Sequence, residues 1–84
     1  MRASMEWYRL TTEVQAILLD DYSREDGTEQ LPIGTLFRVY ADERTVPEHP
    51  GVVFNAIIAN GRQYRVEAAA IDEKHEKFDA PKGE

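Results

Sequence analysis

The chain has 84 residues, ten basic against sixteen acidic side chains for a formal net charge of −6, and no cysteine. That length holds one domain around one core, and the lack of cysteine excludes disulfides, thiolate catalysis and zinc–thiolate sites. The acidic balance opposes phosphate backbones and anionic membranes and favours a partner with a basic surface, so nucleic-acid binding is not expected.

At 42% hydrophobic and 31% charged, the composition is that of an ordinary globular domain rather than a disordered chain. Residues 1–6 read as an N-terminal extension. Met1-Arg2-Ala3-Ser4-Met5-Glu6-Trp7 lacks the apolar centre of a signal peptide, so a cytoplasmic protein is expected. No apolar run approaches the length of a membrane-spanning helix, and no membrane partner is expected.

The first ordered segment supports two readings. Tyr8, Leu10, Thr12, Val14, Ala16 and Leu18 alternate with polar residues as a half-buried strand does. Leu10, Val14, Ile17 and Leu18 also form a helical stripe, and Thr12-Glu13-Val14-Gln15 has the capping-box pattern over 11–21. Asp20 and Asp21 would oppose the dipole at that helix's end, and the rest of the chain needs sheet partners, so the strand is preferred.

Asp20–Gln30 carries five carboxylates and one arginine between the apolar runs Ala16–Leu19 and Leu36–Tyr40. It reads as a long solvated loop that can also serve as a docking surface. Leu31-Pro32-Ile33-Gly34 is a turn-like entry to a strand over Gly34–Ala41, with Phe37, Val39 and Ala41 on one face and Leu36, Arg38 and Tyr40 on the other. Asp42–Pro50, with Pro47 and Pro50 around His49, reads as an exposed loop.

Gly51–Ala59 is apolar and rich in β-branched residues, Asn60-Gly61 suits a type I′ turn, and Gln63–Val66 alternates. Together they predict a β-hairpin. A strict two-residue turn pairs Ile57 with Tyr64 but puts Asn55 and Arg62 on their face, which points to a bulge or a longer loop. Glu67–Asp72 suits one helical turn and a brief closing strand. Residues 73–84 are charged apart from Phe78 and Ala80, and read as a frayed helix or loose C-terminal tail.

In this order the pieces resemble a Src-homology-3-like small β-barrel. Ala16-Ile17-Leu18-Leu19-Asp20-Asp21-Tyr22 is similar to that family's opening strand. Glu25-Asp26 with Leu31, Gly34, Phe37 and Val39 is similar to its long first loop and second strand. Tyr64–Ile71 is similar to its fourth strand, helical turn and last strand. The resemblance covers about residues 14–72 and implies a mainly β domain, a single five-stranded barrel over residues 7–72 with a helical turn near 67–71. In the family, acidic residues of the first loop read basic residues flanking a proline-rich peptide. The family's tandem tryptophans are replaced here by Val53-Phe54, and its helical-turn proline and tyrosine by Glu67 and Ala70, so proline-rich recognition does not follow.

Residues able to do chemistry are few. His49 and His75 read as solvated, and Ser4 and Ser23 lie in no nucleophile elbow. Asp21–Gly27 loosely matches a calcium loop, but its glycine is displaced by one position and Arg24 interrupts the ligands. The five glycines form no phosphate loop. Arg38, Arg62 and Arg65 beside Phe54 or Tyr64 would make a small basic–aromatic platform, against the commoner reading that they pair with carboxylates. Trp7 and Tyr8 are expected to close the bottom of the barrel.

The sequence therefore predicts a non-enzymatic, acidic protein-interaction module without a cofactor or metal, monomeric or a small homo-oligomer. Its docking residues are expected to be Asp20, Asp21, Tyr22, Glu25, Asp26, Arg38, Tyr40 and Tyr64. Two other readings are a phage or mobile-element inhibitor that mimics acidic charge, and a small structural protein assembling through a sheet edge.

Overall fold

The structure is a computed structural model describing residues 6–20, 24–71 and 75–77, with backbone alone at residues 42 and 75–77. Strands β1 (Tyr8–Leu10), β2 (Val14–Asp20), β3 (Arg24–Leu31), β4 (Leu36–Val46), β5 (His49–Ala59) and β6 (Arg62–Glu67) precede one helical turn, α1 (Ala68–Ile71), and a short β7 (His75–Lys77). All pairings are antiparallel, in the order β3-β2-β6-β5-β4-β1-β7. The domain is mainly β, as expected, but the sheet has seven strands instead of five and does not close into a barrel. The reason lies in the pairing of the chain's two ends. The N-terminal segment joins β4 through Tyr8 opposite Phe37, and β7 adds outside β1, so β3 and β7 remain at opposite edges.

The first segment is extended, and its capping-box pattern starts no helix. The alternation prevails because Leu10, Val14 and Ala16 all enter the core at near-zero exposure. The Asn60-Gly61 turn has φ of +53° and +73°, the left-handed backbone that a two-residue hairpin turn demands. Ile57 lies opposite Tyr64 with no shift of register, so the expected bulge is absent from this hairpin. Instead Asn55 is accepted into the core, and Arg62 reaches Glu29 at 3.2 Å.

Three expected irregular stretches are strands. The acidic loop is mostly β3, paired along β2 from Val14↔Leu31 to Asp20↔Arg24. One extra residue is absorbed between the Ile17 and Leu19 pairs, where Gly27 has φ of +93°. Asp42–Pro50 is not a loop: β4 runs to Val46 and β5 begins at His49 around a Pro47-Glu48 turn. Irregular register between Val39 and Val46 lets this long hairpin keep pairing where the apolar pattern is broken. In the charged C-terminal segment His75–Lys77 pairs with β1, and it is neither helix nor loose tail; residues 72–74 and 78–84 lie outside the described residues. The helical turn at Ala68–Ile71 agrees with the expected position.

One sheet face carries the core: Leu10, Val14, Ala16, Leu31, Phe37, Val39, Ile57, Ala59, Tyr64, Val66 and Ile71. Tyr8 packs against it, its ring 5.8 Å from that of Phe37, whereas Trp7 remains 39% exposed. The sheet is open, so there is no barrel bottom for Trp7 and Tyr8 to close as expected; Tyr8 packs against the core and Trp7 stays exposed.

Candidate functional site

The opposite sheet face is only partly covered. By register it presents Ile17 and Leu19 from β2, Arg65 from β6, Phe54 and Ala56 from β5, and Arg38 and Tyr40 from β4. Leu19 and Phe54 are buried here, away from the main core. Phe54 is covered by a guanidinium and an imidazole. The Arg65 guanidinium stands 6.0 Å from its ring centroid, within cation–π range, and the His49 ring meets it edge-on at 5.4 Å.

Glu25 ties these groups together. Its Oε2 accepts a hydrogen bond from Arg65 Nη1 at 2.9 Å and lies 2.7 Å from His49 Nε2. Arg65 is the more enclosed member, with its side chain 11% exposed. Charge-assisted bonds of this kind fix side chains more firmly than exposed pairs do. The β2–β3 hairpin is therefore tied across β6 to the start of β5.

Two hollows flank the Phe54–Arg65 stack. The first, about 320 Å³, is lined by Ile17, Thr28, His49, Val52 and Glu67 as well as by Phe54 and Arg65. The second, about 460 Å³, opens between β4 and β5 over Leu19, Tyr40, Ala56 and Phe54, with Arg44 and Arg65 supplying cations. A third, of about 330 Å³, follows the hairpin edge and is lined by Asp20, Asp26, Gly61 and Arg62.

These positions sort the expected docking residues. Glu25, Arg38 and Tyr40 share the half-covered face, while Asp20 and Asp26 stand exposed along its acidic margin, Asp20 3.9 Å from Arg24. Asp21 and Tyr22 lie outside the described residues, as does Ser23. Tyr64 is corrected: its side chain is fully buried in the main core, so it offers no aromatic wall to a partner. Its hydroxyl donates to Glu29 Oε2 at 3.0 Å, beneath the Arg62–Glu29 pair. Burial raises the Tyr64 hydroxyl above its ordinary pKa, and the Glu29 carboxylate pushes the same way against a partial offset from Arg62.

The imagined basic platform is divided. Arg65 reaches Phe54, but Arg62 projects with Tyr64 on the core side of the sheet and engages Glu29. Sequence reasoning offered Phe54 as one aromatic of that platform but read His49 as solvated and missed its place against Phe54 and Glu25. A signal for the Arg65 contact was present, because the strict two-residue turn pairs Arg65 with Ala56 and Glu67 with Phe54, which brings Arg65 beside Phe54.

No protein-family model matches the chain, nor does any curated protein or solved structure. Among the described residues no group of three or more histidine, aspartate or glutamate side chains could hold a metal ion. No helix among them is long and apolar enough to cross a membrane.

Proposed function

We propose that this chain is a non-enzymatic binding module, a variant on the Src-homology-3-like pattern, that docks on a partner protein through the half-covered sheet face and its acidic margin. The observation that carries the reading is the pair of hollows on either side of Phe54 and Arg65, a concave and partly apolar surface beside Glu25, Arg38 and Tyr40. The order of a first hairpin, a three-strand meander and a helical turn also follows the resemblance. In this reading Asp20 and Asp26 steer a basic rim of the partner toward the face, and the hollows take its apolar side chains. A cytosolic setting belongs to the same proposal.

The test is affinity capture from native cell extract at low and high salt with three baits: wild type, Asp20→Asn/Asp26→Asn, and Ala56→Phe, which fills the larger hollow. The expected result is one protein retained by wild type, weakened by the charge variant mainly at low salt, and lost with Ala56→Phe. Equal retention by all three baits, or no specific retention at all, would refute the reading.

A further inference from the structure

The 460 Å³ hollow differs in charge from the chain around it. The protein carries −6 overall, yet two arginines, Arg44 and Arg65, line this hollow, and among the described residues that line it none is acidic. Its floor is apolar, from Leu19, Ala56 and Phe54; Thr45 stands exposed at the rim, while the hydroxyl oxygen of Tyr40 is buried. Arg65 is held from below by Glu25, and Arg44 stands exposed on β4. A small hollow that combines cations with an apolar floor is complementary to a carboxylate attached directly to an apolar stem.

We propose that this hollow receives the C-terminal carboxylate of a partner chain ending in an apolar residue, a proposal that rests on the docking function above and names the group recognised. A chain terminus carries its carboxylate group and its last side chain on the same α-carbon, so one short hollow reaches both. The guanidinium of Arg44 takes the carboxylate at the open side, Arg65, its charge shared with Glu25, borders the floor, and the terminal side chain packs on Phe54 and Ala56.

The test uses the full-length, isotope-labelled chain titrated with three N-acetylated tripeptides and followed by NMR. One ends in Val-Leu with a free carboxylate, the second is the same peptide amidated, and the third is amidated with an internal glutamate. The free acid is expected to bind with shifts concentrated at Tyr40, Arg44, Thr45 and Ala56, and about tenfold or more tighter than its amide, as the loss of a charge-assisted contact implies. Arg44→Gln is expected to bring the free acid down to the amide's affinity, and Ala56→Phe to abolish binding while the spectrum stays dispersed. If Ala56→Phe does not fold, Arg44→Gln alone decides. Equal binding of acid and amide, equal binding of the internal-glutamate peptide, or shifts confined to other residues would each overturn the proposal. Capture of a protein through this face regardless of a blocked C-terminus overturns the proposal and retains the docking function. Tight free-acid binding with no captured protein supports the ligand chemistry and removes the docking function.

Discussion

Asn55 occupies the middle of β5 at zero exposure, opposite Val66 on the core face, and neither Nδ2 nor Oδ1 finds a hydrogen-bond partner. A buried polar group left unpaired costs about 1–3 kcal/mol, and the carboxamide brings both donors and an acceptor into that position. Asn55→Val removes the unpaired amide, suits strand backbone, and replaces it with an apolar group of similar size. Such near-isosteric exchanges cost under about 1.5 kcal/mol in packing, so the net expectation is a gain of roughly 1–2 kcal/mol. In a domain of this size each kcal/mol raises Tm by about 4–8 °C. Urea unfolding followed by tryptophan fluorescence and circular dichroism, together with thermal melts, measures the change. A midpoint lowered by the equivalent of 1 kcal/mol or more would refute the reasoning, because it would mean that the amide is satisfied in the folded protein.

Tyr64 makes stability depend on alkaline pH. Its hydroxyl titrates higher in the fold than its ordinary value of 10.0, so the neutral form is favoured by folding. That contribution is complete below pH 10 and is lost as pH rises through the folded value. Tyr64→Phe is expected to flatten this alkaline loss in pH-dependent melts and to cost about 1 kcal/mol at neutral pH from the lost bond to Glu29. Glu25→Gln removes the charge on which Arg65 and His49 converge and is expected to destabilise by about 1–2 kcal/mol, read from urea midpoints. An unchanged midpoint would show that the cluster adds nothing. Gly61→Ala places a Cβ where nothing lies within 4 Å, so its cost is backbone alone, about 1 kcal/mol for a left-handed φ of +73°.

Local chemistry is what the sequence by itself determined. Ile57 faces Tyr64 because Asn60-Gly61 allows positive φ at both turn positions, and no distant residue has to act for that register to follow. The helical turn at Ala68–Ile71 and the inward positions of Phe37 and Val39 are equally local. Whether a charged stretch is loop or strand was a tertiary decision. Arg24–Leu31 has weak strand character of its own, yet Gly27 absorbs an extra residue while Glu25 and Glu29 find Arg65 and Arg62 on β6. The order of the strands was decided the same way: β7 pairs with β1 and leaves the sheet open, a choice between edges that no side-chain alternation encodes. The candidate site shares this origin. Arg44, Phe54 and Arg65 come from β4, β5 and β6, and only the pairing of those strands puts two arginines and an apolar floor around one hollow, while Glu25, 40 residues from Arg65 in the chain, reaches that arginine from β3.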